Sequence, residues 1–302
     1  TSRFLLHTVP DGRCTPGTWA DLRETKTIQE AVIAGGGIGA VFQSANDMQT
    51  RYETELQMFR DGTELGCQVL FSGGTGAEGD GGVGRWSEFF EQQNEGGKRL
   101  ASICHTRPSG AFFGLAQLSP FTRNSKAWKD LMALPSIEDR VNALRNETTR
   151  AKLIAEGIEA GDMKNLAHML HPFGIDSKPN LDFARQQSLL QLAEAEGKDP
   201  VEVYVERLLA SEGREFFNFW MFGGNLDNQW KYMQLPHVVP MLGDAGAHVG
   251  FFTDTDSPTV LLSELTREQG VYSLPEAVHR ITGKSAAIIG LKERGESVSY
   301  TH

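Results

Sequence analysis

Three short apolar runs, Ile38 to Gln43, Gly66 to Phe71 and Arg99 to Cys104, alternate with stretches of helical periodicity, and no other feature constrains the fold as much. Glu24 to Ala34 reads as a helix that stops at Gly35-Gly36-Gly37, a C-terminal glycine signal, just before the first run. Asn46-Asp47 offers a cap to a helix through Arg60, in which Met48, Tyr52, Leu56 and Phe59 recur about every 3.6 residues. Arg85 to Gln93 supplies the next helix. Strands that alternate with helices at this spacing pair in parallel through helical crossovers. The pattern predicts an α/β fold, most simply part of a TIM-like (β/α) barrel.

From Phe121 to about Gly213 the pattern changes. Leu131 to Leu134, Ile137 to Leu144, Arg150 to Ala155, Phe183 to Ala195 and Val201 to Leu209 read as helices, broken by Pro135, Pro172 and Pro179. No low-complexity linker sets the segment apart, so the expectation is a single domain over 1–302 with a helical insertion at about 121–213. Glu215 to Met221 then reads as an extra strand returning the chain to the barrel, within an aromatic cluster, Phe216 to Phe222, that suits a core or an interface.

Composition excludes several classes. A net charge of -10 argues against a nucleic-acid or anionic-membrane surface, because both need concentrated Lys and Arg. No membrane-spanning run is present. Cys14, Cys67 and Cys104 are odd in number and far apart, so neither a disulfide framework nor a zinc knuckle is expected and a reduced, cytoplasmic setting follows. A small-molecule ligand is the expected partner.

The sharpest chemical signal lies near the other end. Val238 to Leu242 is an apolar run that opens into Gly243-Asp244-Ala245-Gly246-Ala247-His248, placing one carboxylate and one imidazole at the mouth of a strand, where barrel enzymes carry catalytic groups. Asp256 leads into Ser257 to Leu262, a helix ends at Glu268-Gln269-Gly270, and another opens at Ser273-Leu274-Pro275-Glu276 and closes at Ile281-Thr282-Gly283. This order, through Ala286 to Gly295, resembles the end of the catalytic barrel in the amidohydrolase superfamily, in particular its N-acyl-D-amino-acid deacylase (D-aminoacylase) branch. The likeness is strongest from about Gly197 onward. Thr1-Ser2-Arg3 and Asp11-Gly12-Arg13 are similar to a segment from the middle of that barrel, which implies a chain truncated at both ends.

The resemblance implies hydrolysis of a C–N amide bond in an N-acyl amino acid, by a metal-bound water with Asp244 as general acid and base. By its spacing alone, Asp244 is more often a cap of the following helix or the start of a tight Asp-Ala-Gly turn than a catalytic group. His248 is a substrate-side contact or a local hydrogen-bonding residue. Arg107, in His105-Thr106-Arg107-Pro108, either holds a substrate carboxylate as a two-pronged donor or forms an ion pair at the barrel rim, and Arg3 carries the same two roles. His105 is a substrate contact, a ligand, a proton carrier or a satisfied half-buried histidine. Zinc or another divalent metal is implied by the family, with Asp244 among its ligands. Gln43 and Ser72 stand where the family's fifth- and sixth-strand histidines would fall, and neither is a good zinc ligand. A catalytically inactive or metal-free homologue that binds a ligand or a partner is therefore the alternative.

Other motifs are weaker. Gly35 to Ala40 follows a helix and precedes a strand, the reverse of a dinucleotide fingerprint. Gly73 to Gly82 follows a strand and precedes a helix, so it reads either as an anion site at a helix start or as a mobile loop over the barrel mouth. His168 and His171, three apart before Pro172, read as a helix end. Barrel edges exposed by missing strands would favour a homo-oligomer.

Overall fold

The structure, a computed structural model, describes residues 3–4, 9, 13–76, 79–108, 110–174, 180, 182–183, 185–240 and 256–297. Asp244 and His248 lie outside the described residues. Along the chain run α1 (Leu22–Gly36), β1 (Val41–Ser44), α2 (Tyr52–Glu64), β2 (Gln68–Ser72), α3 (Val83–Asn94), β3 (Arg99–Cys104) and β4 (Phe112–Phe113). Then follow α4 (Lys126–Met132), α5 (Ile137–Arg145), α6 (Glu147–Ala160), α7 (Asp162–Leu166), β5 (Leu170–Pro172), α8 (Leu189–Glu196), α9 (Pro200–Ala210) and β6 (Phe217–Phe219). The chain ends with α10 (Leu226–Gln234), β7 (Val238–Pro240), α11 (Ser257–Val260), a π-helical stretch (Leu261–Glu268), α12 (Leu274–Ile281) and α13 (Gly283–Ile288). Among the described residues, those of 1–106, 227–241 and 257–302 form one compact unit, and those of 107–226 and 242–256 form a second. No helix of the described residues is long and apolar enough to cross a membrane.

The first unit is α/β. Its sheet has the order β1-β2-β3-β7, with every pairing parallel and no reversal of direction along the series. Arg3 N–H donates to the Ala45 carbonyl at 2.9 Å, so a stretch from the start of the chain runs beside the end of β1. One face of the sheet packs on helices: Phe71 lies 4.5 Å from Phe59 of α2, 5.2 Å from Trp86 and 6.0 Å from Phe90 of α3, between ring centroids. All four side chains are buried, each contributing on the order of 2–3 kcal/mol by removal of its apolar surface from water. Alternation along the strands puts Gln43, Leu70, Ser72, Ala101 and Ile103 on the opposite face. Helix α12 is tied to the last turn of α10, where Arg280 Nη1 donates to the Met233 carbonyl at 2.6 Å, an acceptor the helix end leaves open, and α13 is tied to β7, where Lys284 Nζ donates to the Val238 carbonyl at 2.9 Å.

The second unit is a helical bundle with a three-stranded sheet of order β4-β6-β5. Its helices start where side-chain caps permit. Ser125, Ser136 and Asn146 cap α4, α5 and α6, while Ser188 with Gln191 and Asp199 with Glu202 form full capping boxes on α8 and α9. The core centres on Trp128, which stacks on Phe121 at 4.6 Å and donates its indole N–H to the Leu153 carbonyl at 2.9 Å, and on Tyr204, 4.4 Å from Phe217.

Several sequence expectations shift. The first strand starts at Val41 rather than Ile38: Gly39 adopts φ +87° and Ala40 N–H closes a turn on the Gly37 carbonyl, leaving Ile38 82% exposed. Asp47 does not cap the following helix. Its carboxylate accepts from Thr50 N–H and hydroxyl, making a local turn, and α2 begins at Tyr52. The helix expected from Phe183 waits for the Ser188 cap. Glu215 to Met221 does not rejoin the parallel sheet: β6 is antiparallel to both β4 and β5, so both of its edges are already paired. His171 sits in β5 rather than at a helix end, since α7 stops at Leu166 and a turn separates the two.

Candidate site at the carboxyl edge of the parallel sheet

Parallel strands present loops and side chains together at their carboxyl ends, and in α/β proteins ligands bind at that edge. Here the edge is formed by the loops after β1, β2 and β3. Asn46 Nδ2 donates to the Ser72 carbonyl at 3.1 Å, and Gly73 N–H to the Ile103 carbonyl at 2.9 Å, so each loop is stitched to the next. Helix α10 backs the edge. Gln229 Nε2 donates to the His105 carbonyl at 2.7 Å and lies 3.0 Å from Cys104 Sγ, and Asn228 Nδ2 donates to the Gly79 carbonyl at 3.1 Å. Thr106 and Ser257 join hydroxyls at 2.9 Å. The Gly73 backbone lies so close to Tyr232 and Ser102 that a Cβ there would stand 2.2 Å from the Tyr232 hydroxyl and 2.3 Å from the Ser102 hydroxyl. Only glycine fits without displacing them.

The electrostatics of this edge remove two candidate chemistries. The start of α3, where an anion could have bound, is taken by the chain's own carboxylate: Asp80 accepts from Gly82 N–H and Gly84 N–H, both at 2.9 Å, and these bonds hold its carboxyl below the usual range. A thiolate nucleophile at Cys104 is also disfavoured, because burial pushes that thiol up.

Five of the sequence candidates, Gln43, Ser72, His105, Arg3 and Arg107, lie among the described residues. Gln43 and Ser72 occupy the ends of adjacent strands on one face and are both exposed. An amide and a hydroxyl do not fit a zinc ion, and among the described residues no group of three or more His, Cys, Asp or Glu side chains could hold a metal. His105 follows β3 at the same edge. Arg3 is turned inward. It is 2% exposed, its Nε donates to Glu55 Oε1 at 2.9 Å, and its Nη1 reaches the Ala20 carbonyl. Arg107 belongs to the second unit. Its Nε donates to Asp256 Oδ1 at 2.8 Å, its Nη1 to the Pro108 carbonyl at 3.0 Å, and its guanidinium lies 5.0 Å from the Phe183 ring centre.

Sequence reasoning passed over four residues of this edge: Asn228, Gln229, Arg51 and Arg85. No motif marks them. Their one signal is position, directly at or before the helices that follow or back the strands. No protein-family model, curated protein or solved structure matches the chain.

Proposed function

We propose that the chain is an arc of an amidohydrolase-type (β/α) barrel whose chemistry is the hydrolysis of an acyl amide at the carboxyl edge of the parallel sheet. The observation that carries this is the strand order. The resemblance implies an early segment at Arg3, then strands ending at Gln43, Ser72, His105 and Asp244, and the described strands of the first unit, β1, β2, β3 and β7, lie in that series, all parallel. In this scheme Asp244 takes a proton from the attacking water and returns it to the leaving amine, which lowers the cost of expelling an amide nitrogen. His248 and His105 are the polar contacts to the substrate. Gln43 and Ser72 do not suit the zinc that the family uses, so no step is assigned to a metal. The substrate class is an N-acyl amino acid, and three unpaired cysteines, Cys14, Cys67 and Cys104, suit a reducing cytoplasmic setting.

The exposed Gln43 and Ser72 favour a second reading, a homologue that binds the ligand without turnover. Release of free amino acid from a panel of N-acyl-D-amino acids separates the two. Turnover by the wild-type chain, reduced about 100-fold or more in Asp244→Asn, is expected of the hydrolase. No release above the uncatalysed rate, with binding retained, would establish the second.

A further inference from the structure

The two arginines expected to hold a substrate carboxylate, Arg3 and Arg107, are engaged with Glu55 and Asp256. Two others stand at the carboxyl edge of the sheet with a different environment. Arg51 directly precedes α2, and its guanidinium lies 4.8 Å from the ring centre of Trp19, held by an Nη1 bond to the Thr18 carbonyl at 2.7 Å. Arg85, in the first turn of α3, lies 4.9 Å from the ring centre of Tyr52, the residue after Arg51. Tyr52 in turn packs edge-on to Trp86 at 6.4 Å. Each guanidinium thus lies on an aromatic face, and the ring that carries Arg85 belongs to the residue next to Arg51. Among the described residues neither forms an ion pair with a carboxylate. Of the described acidic groups of the two loops, Asp47 accepts from Thr50, and Asp80 accepts from Gly82 and Gly84 with a weaker attraction to Arg85. Trp19 is 69% exposed, an unusual setting for an indole and a flat surface open to a ligand.

We propose that Arg51 and Arg85, backed by Trp19 and Tyr52, form a clamp for the carboxylate of an organic acid, with the Trp19 face taking the apolar part of the same molecule. Stacking fixes each guanidinium plane while leaving its edge to donate, which is the geometry a carboxylate accepts from arginine. In a chain of net charge -10, this local pair of cations would select and orient an anionic ligand that the remainder of the surface repels. The choice of an N-acyl amino acid as that ligand rests on the hydrolase reading, whereas the clamp itself does not.

The test is calorimetric titration with N-acetyl-D-methionine and with its carboxamide, on the wild-type chain and on Arg51→Gln/Arg85→Gln, with circular dichroism as the check on folding. The carboxylate is expected to bind wild type at least about tenfold tighter than the carboxamide, and the double variant is expected to lose that preference. Absence of measurable carboxylate binding to wild type, or an equal preference in the folded double variant, overturns the clamp. Hydrolysis is followed separately. Carboxylate preference without turnover removes the hydrolase and keeps the clamp, and turnover with unchanged KM in the double variant does the reverse.

Discussion

His171 gives the second unit a built-in acid sensitivity. The imidazole is 6% exposed and lies flat on Trp220, ring centres 3.5 Å apart and 10° from parallel. Burial brings it down from 6.5 to about 4, against a weaker opposite pull from the backbone of Gln186 and His168. A histidine whose folded value lies below its unfolded value refuses a proton that the unfolded chain accepts. Its contribution is therefore complete above about pH 6.5 and is lost as the pH falls towards 4. The gap, at roughly 1.4 kcal/mol per pH unit, sets a ceiling of about 3 kcal/mol, of which roughly 2.5 would be lost between neutrality and about pH 4.5. Carboxylates titrate in the same range, so the informative quantity is a difference. Urea unfolding of wild type and of His171→Phe, which keeps a ring on Trp220, would be compared at the two pH values, with amide exchange of peptides covering 167–173 as the local readout. The variant is expected to lose about 2.5 kcal/mol less on acidification. Parallel pH profiles for the two proteins would refute the argument, because they would mean that this imidazole protonates equally in the folded and unfolded chains.

Two further predictions concern the first unit. Arg3→Met strands the fully buried Glu55 carboxylate and should destabilise by about 3–5 kcal/mol, while Arg3→Met/Glu55→Leu should recover most of it; thermal unfolding of the pair of variants decides, and a mild single-variant effect would mean that Glu55 reaches water. Gly73→Ala should cost roughly 1–3 kcal/mol because its methyl meets the Tyr232 and Ser102 hydroxyls, and adding Tyr232→Phe and Ser102→Ala should relieve the clash; a neutral Gly73→Ala in chemical denaturation would mean that the loop after β2 moves freely.

The contrast between what could be read early and what could not follows from the range of the interactions involved. Strands β2 and β3 and helices α1 and α3 are set by local periodicity and glycine punctuation, and they sit within a few residues of the sequence estimate. The places that moved were decided by partners distant in sequence or by competing local bonds. β6 is aromatic and apolar enough for any sheet, and only its pairing with residues 111–113 and 169–172 determines which one it joins. Asp47 is as good a cap as Ser188, yet Thr50 takes its carboxylate first.

The same distinction governs the arginines. Arg3 and Arg107 carried the better sequence argument, Arg107 because it follows a strand and Arg3 because its segment is similar to one from the middle of the barrel, but charge and position say nothing about which carboxylate lies opposite. Glu55, 52 residues from Arg3, and Asp256, 149 residues from Arg107, convert both into internal ion pairs. Arg51 and Arg85 carried no motif at all, and they stand beside loops in which Asp47 and Asp80 accept from their own turns. A guanidinium is freer to meet a ligand where neighbouring carboxylates accept from their own turns. Short Asp-containing turns beside an arginine-aromatic pair are then the sequence feature that distinguishes such a site from a structural salt bridge.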